Sequence, residues 1–133
     1  MTGVFADTSY YVALLLKNDS RHARAVELTI ENTGPVLTTS WILSELGSFL
    51  SPLPTRQLFV DLVKDLQNDA GVIIANASMA QFNAGLEIYA GRSDKAWSLV
   101  DCISFQVMRE KGLSNAWTTD HHFEQAGFHA MLK

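Results

Sequence analysis

An α/β domain with a mostly parallel sheet of four to five strands is what this sequence predicts, and three observations predict it. Short apolar runs recur at 4–6, 36–38, 72–75 and 116–118, each too short for a helix. Between them lie longer stretches with apolar residues at helical spacing. Turn formers sit at the junctions, as at Gly34-Pro35 and Gly71. Strands that alternate with amphipathic helices imply crossover connections, and hence parallel pairing.

Val4, Phe5 and Ala6 form the first strand. Residues 8–16 read as a helix that Asp19 and Ser20 interrupt, and residues 21–29 as a second with Ala25 and Leu28 on one side. After Gly34-Pro35 comes the second strand, 36–38. Ser40 is placed to cap a helix over 41–50, whose apolar stripe is Leu43, Leu46 and Leu50. Pro54 suits the first position of the next helix, which runs to about Leu66 with Leu58, Phe59, Leu62 and Leu66 turned inward. The third strand, Val72-Ile73-Ile74-Ala75, is apolar on both faces, as a central parallel strand is. Ser78 with Gln81 reads as a capping box for a helix to Tyr89. Ser98 with Asp101 reads as another, for a helix to about Lys111 that ends at Gly112. Residues 116–118 form the fourth strand, Asp120 starts a short helix, and 128–131 form a last strand.

A chain of 133 residues fits one domain, 1–133, with one core. Its net charge of −4 excludes a simple basic grip on nucleic acid, but leaves room for an acidic centre that meets phosphate through cations. The single cysteine, Cys102, cannot close an internal disulfide and reads as a small buried hydrophobe beside Val100 and Ile103. Residues 1–7 lack the basic segment and apolar run of a leader, and no stretch approaches the ~20 apolar residues of a membrane span. The expectation is a soluble cytoplasmic protein.

Four carboxylates stand out by position. Asp7 and Asp120 each follow a strand and precede a helix, Asp101 lies in a first helical turn, and Glu45 lies one turn into the helix after the second strand. In open parallel sheets the carboxyl ends of the strands line the ligand crevice. If strands one, two and four are neighbours, these acids meet at one rim. Two such charges ~5 Å apart repel by about 3 kcal/mol at an effective dielectric of about 20. Convergent acids therefore either retain protons or bind a hard cation, and oxygen-only donors favour Mg²⁺ or Mn²⁺. Each acid also has a bland reading: Asp7 and Asp120 as N-caps, Asp101 in its capping box, Glu45 as a solvated helix edge.

These residues carry a family resemblance. Val4-Phe5-Ala6-Asp7-Thr8-Ser9 resembles the opening strand and aspartate of PIN domains, and Thr39-Ser40-Trp41-Ile42-Leu43-Ser44-Glu45 is similar to their second acidic segment. The segment Asp94-Lys95-Ala96-Trp97-Ser98-Leu99-Val100-Asp101-Cys102-Ile103-Ser104-Phe105 and the later run Ala116-Trp117-Thr118-Thr119-Asp120-His121-His122-Phe123 resemble the C-terminal half of VapC-like toxins. The likeness runs in order along essentially the whole chain. It implies a Rossmann-like PIN domain in which Asp7, Glu45, Asp101 and Asp120 hold Mg²⁺ or Mn²⁺. It implies supporting hydroxyls at Thr8 and Thr119. It also implies a homodimeric endoribonuclease toxin of a toxin–antitoxin pair. Such an enzyme cuts structured RNA by metal-activated water, leaving 5′-phosphate and 3′-hydroxyl ends, and is neutralised by a small cognate antitoxin. One departure is the His121-His122 pair, where many relatives carry a basic residue.

Other residues have two readings. Lys17, Arg21, His22 and Arg24 suit phosphate contacts or a solvated face, as do Arg92, Lys95 and Arg109. Asp94 is a fifth acid near the rim or a loop residue paired with Lys95. Trp41 and Trp97 suit base stacking, but packing fits their apolar surroundings better. His121 and His122 point about 100° apart on a helix, which argues against a shared metal and for the surface. The alternatives in function are a PIN-like module that holds RNA or a partner without cutting it, and a receiver domain. A receiver needs an acid ending the third strand, where this chain has Ala75-Asn76.

Overall fold

The computed structural model describes residues 3–133. The first two residues of the 1–133 span, and of the segment read as lacking a leader, lie outside the described residues. The order is β1 (Val4–Ala6), α1 (Thr8–Leu15), α2 (His22–Glu31), β2 (Val36–Thr39), α3 (Ser40–Phe49), α4 (Leu53–Asn68) and β3 (Val72–Ala75). It continues through α5 (Met79–Gly91), α6 (Leu99–Lys111), β4 (Asn115–Trp117), α7 (His121–Gln125) and β5 (His129–Ala130). The strands form one five-stranded sheet, β3-β2-β1-β4-β5, parallel at every pairing.

Strand β1 is central and wholly buried, which is why it reads as an unbroken apolar run. Phe5 pairs with Leu37 on one side and Ala116 on the other, and Ala6 pairs with Trp117. This register sets the chain ends after β1 and β4 side by side, so Asp7 leaves the sheet next to Thr118. The Asp7 amide donates to the Trp117 carbonyl at 3.1 Å.

Aromatic packing dominates one side of the sheet. The Phe105 ring meets Trp97 at 5.1 Å and Phe123 at 5.0 Å, both edge-on, and Phe5 lies 6.3 Å from Phe123. Truncating a ring of this kind to alanine costs about 3–5 kcal/mol. Helices α5 and α6 pack at Gly85, where a Cβ would fall 2.3 Å from Ile103 Cγ1. Helix α6 has the complete capping box expected of Ser98 and Asp101, and ends at Gly112 with φ 68°. That left-handed turn suits a residue without Cβ.

Several local expectations change. Strand β3 pairs only with β2, so it is an edge and not central, and Ile73 is 46% exposed. Its apolar run reports strand propensity but not the number of neighbours. Leu58 also faces outward, because α4 buries Leu62 and partly buries Phe59 and Leu66. Thr39, not Ser40, caps α3, its hydroxyl accepting from the Ile42 amide at 3.1 Å. Ser78 accepts from the Gln81 amide as expected, but the Gln81 side chain accepts from Trp41 Nε1 instead of closing the box. Trp41 is half-buried against Phe82 and Trp97 is buried against Phe105, so both serve packing.

Candidate active site

An open cleft of about 770 Å³ lies at the carboxyl edge of the sheet. Asp7, Glu45, Asp101 and Asp120 all line it, together with Thr8, Ser9, Ser98, Thr119 and His122. Four segments far apart in sequence deliver the acids: the β1–α1 junction, α3, the first turn of α6 and the cap of α7.

Asp7 is the buried member, only 6% exposed. It occupies the N-cap position of α1 yet makes no side-chain cap hydrogen bond. Its Oδ2 instead accepts from Thr118 Oγ1 at 2.7 Å and Ser9 Oγ at 3.1 Å. Burial raises its pKa to about 6 against the lowering effect of the Thr118 hydroxyl, and the nearby Asp101 charge adds to the rise. Burial also raises the Asp101 pKa, opposed by its bond from the Ser98 amide and reinforced by the Asp120 charge. Asp101 and Asp120 both cap helices as well: Asp101 accepts from the Ser98 amide, and Asp120 from the His122 amide at 2.9 Å. Capping and cleft-lining coexist in the same carboxylates.

Glu45 is exposed and is held by Thr8 Oγ1, which donates to Oε1 at 2.5 Å. Thr119 contributes its amide, donating to Ser9 Oγ at 3.0 Å, and its side chain lines the cleft. Sequence reasoning missed Ser9 and Thr118. Their signal was present but local: each sits two residues from a cleft aspartate. Thr118 Oγ1 also accepts from the Asp120 amide at 3.0 Å, so one buried hydroxyl ties Asp7 to Asp120.

His122 is not a surface residue. Its Nδ1 lies 3.1 Å from Asp101 Oδ2 and 3.3 Å from Asp120 Oδ1, between the two acids. Between two carboxylates the Nδ1–H form is the one that bonds. The rings of His121 and His122 are 4.5 Å apart, and ligand atoms of Asp120, His121 and His122 fall within 4.8 Å of one another. The short helix thus brings both rings to one side, against the expectation from ideal helix geometry. Asp94 lies off the cleft, paired with Arg92 at 3.0 Å.

The donor set suits a hard divalent cation. Four carboxylates line one mouth, two with raised pKa values, and electrostatic repulsion links Asp7 to Asp101 and Asp101 to Asp120. The four carboxylates supply the oxygen donors a hard cation prefers, and a cation there relieves the repulsion that links Asp7, Asp101 and Asp120.

A family model for the PIN domain matches residues 4–129. The chain belongs to the PIN-domain family. Among relatives of this PIN domain is the 23S rRNA-specific endonuclease VapC20 of Mycobacterium tuberculosis (strain ATCC 25618 / H37Rv), 29% identical over 125 residues, covering 94% of this chain and 95% of that one. The crystal structure of M. tuberculosis VapC20, described as a Sarcin-Ricin loop cleaving toxin, superposes with a TM-score of 0.86 at 29% identity, with 94% and 95% coverage. FitAcB from Neisseria gonorrhoeae shares the fold at a TM-score of 0.64 and 16% identity, covering 96% of this chain and 94% of that one.

Proposed function

We propose that this PIN domain, spanning residues 1–133, is a Mg²⁺- or Mn²⁺-dependent endoribonuclease acting as the toxin of a toxin–antitoxin pair. The observation that carries this reading is the meeting of Asp7, Glu45, Asp101 and Asp120 in one cleft. The likeness to VapC20 along 94% of the chain supports RNA as the substrate, and makes a 23S rRNA loop the first to test.

In this reading the four acids hold the metal. When bound, such an ion supplies Lewis acidity toward a phosphoryl oxygen and toward attacking water. The chain's own residues fix the acids. Thr118 and Ser9 aim Asp7, Thr8 restrains Glu45, and the α6 and α7 caps set Asp101 and Asp120. His122 Nδ1 lies within reach of both of the latter, 3.1 Å from Asp101 and 3.3 Å from Asp120. Fixed donors lose little freedom when substrate arrives, which is where preorganised sites gain rate. The products carry 5′-phosphate and 3′-hydroxyl ends.

The partners in this reading are a second copy of the chain and a small antitoxin. Exposed Ile30, Leu53, Met79 and Tyr89 offer apolar surface to cover. A cytoplasmic site of action belongs to the same reading; among the described residues no helix is long and apolar enough to cross a membrane.

The test is cleavage of a 23S rRNA loop hairpin by purified chain with Mg²⁺ or Mn²⁺. EDTA stops cleavage, and Asp7→Asn abolishes it with the fold retained by circular dichroism. Equal cutting by the wild type and Asp7→Asn overturns the proposal.

A further inference from the structure

Among the described residues five carboxylates line the acidic cleft, but Arg21 is the one lysine or arginine that does. Among the described residues no acidic partner lies within salt-bridge reach of its guanidinium, whereas Arg24 pairs with Glu27 and Arg92 with Asp94. The Arg21 amide donates to Asp19 Oδ1 at 2.8 Å, which fixes the turn before α2 and presents the side chain to the cleft. Phe49 lines the same cleft from the end of α3 and is 57% exposed, although its helix neighbours Leu46 and Leu50 are buried. A large ring more than half exposed, on the wall of a cleft that also holds one unpaired cation, is not explained by packing.

We propose that Phe49 and Arg21 form a nucleotide subsite on the wall of the acidic cleft. Phe49 stacks an unpaired base next to the scissile phosphodiester, and Arg21 holds that nucleotide's phosphate. This rests on RNA being the substrate. A cleft this acidic repels a polyanion, so a positioned cation is needed beside it. An aromatic platform reaches only bases that have left a helical stack, so the pair selects looped or single-stranded RNA over continuous duplex.

The experiment uses the Asp7→Asn chain, so that RNA is bound and not cut. The probe is an RNA hairpin with 2-aminopurine at each loop position in turn, beside a fully paired duplex of equal length. One loop position is quenched on binding. Phe49→Ala removes the quenching and weakens binding on the order of 10-fold, whereas Phe49→Trp keeps both. Arg21→Ala weakens binding and lowers the salt slope by about 1, and Arg21→Lys restores part of it. The duplex binds more weakly and ignores both variants. Unchanged affinity and quenching in Phe49→Ala overturns the subsite and assigns the ring to a protein partner. An unchanged salt slope in Arg21→Ala, or a duplex that binds as well as the hairpin, overturns it too. Failure of the ribonuclease reading is a separate result: a wild type that binds and quenches the hairpin but cuts nothing leaves the subsite standing.

Discussion

Thr118 Oγ1 donates to Asp7 Oδ2 at 2.7 Å, a bond between residues 111 positions apart that exists because β1 and β4 pair in register. The same hydroxyl accepts from the Asp120 amide, so it couples the geometry of two cleft acids. A buried carboxylate keeps its charge only when such donors face it.

Replacing Thr118 with valine keeps the volume and removes the hydroxyl. The Asp7 carboxyl then loses a bond that lowers its pKa, so its pKa rises further above about 6. The acid limb of the cleavage pH profile moves to higher pH, and stability falls by about 1–3 kcal/mol from the orphaned groups. An unmoved profile with unchanged urea midpoint speaks against this coupling.

Metal-free stability depends on pH through Asp7. Its pKa rises from 3.8 unfolded to about 6 folded, so the folded state holds the proton longer. The contribution is full below pH 3.8 and is lost as pH rises to about 6, a total of about 3 kcal/mol. The Asp101 carboxyl, also raised, acts in the same direction. In EDTA, Asp7→Asn is therefore more stable than the wild type at pH 7.5, and the gap narrows toward pH 4. Adding Mn²⁺ at about 1,000 times Kd reverses the order, since only the wild type gains binding energy, about 4 kcal/mol. Parallel urea titrations of both proteins across this range measure the slope directly.

Asp101 serves two roles that substitution separates. Asp101→Asn keeps an acceptor for the Ser98 amide but removes the charge, so metal affinity falls with little loss of apo stability. Asp101→Ala loses the cap as well and costs about 1 kcal/mol more. Calorimetry that finds a large apo loss for Asp101→Asn would show that the charge supports the helix and is not a burden in the cleft.

Gly85→Ala improves helix propensity by about 1 kcal/mol in an open helix. Here the new methyl meets Ile103 Cγ1 at 2.3 Å and the Ile103 backbone nitrogen at 3.0 Å. Net destabilisation of about 1–3 kcal/mol follows, with partial rescue by Ile103→Ala. A higher melting temperature for Gly85→Ala would mean that α5 slides freely on α6.

Much of this was legible in order along the chain. Apolar runs, turn residues and the Ser98–Asp101 box are local signals, and local backbone physics set those elements close to where the sequence puts them. Asp7, Asp101 and Asp120 were legible for the same reason, since strand ends and helix starts can be located from pattern alone.

What the sequence by itself determined was the α/β alternation and the positions of Asp7, Asp101 and Asp120 at strand ends or helix starts, with Glu45 one turn further along α3. The tertiary structure alone decided that β3 is an edge, that Thr118 and Ser9 hold Asp7, that His122 sits between two acids, and that Arg21 alone among the arginines lines the cleft. The physical reason is range. Propensity and periodicity act over a few residues, whereas burial, pairing partners and pKa depend on which distant segments the sheet order brings together.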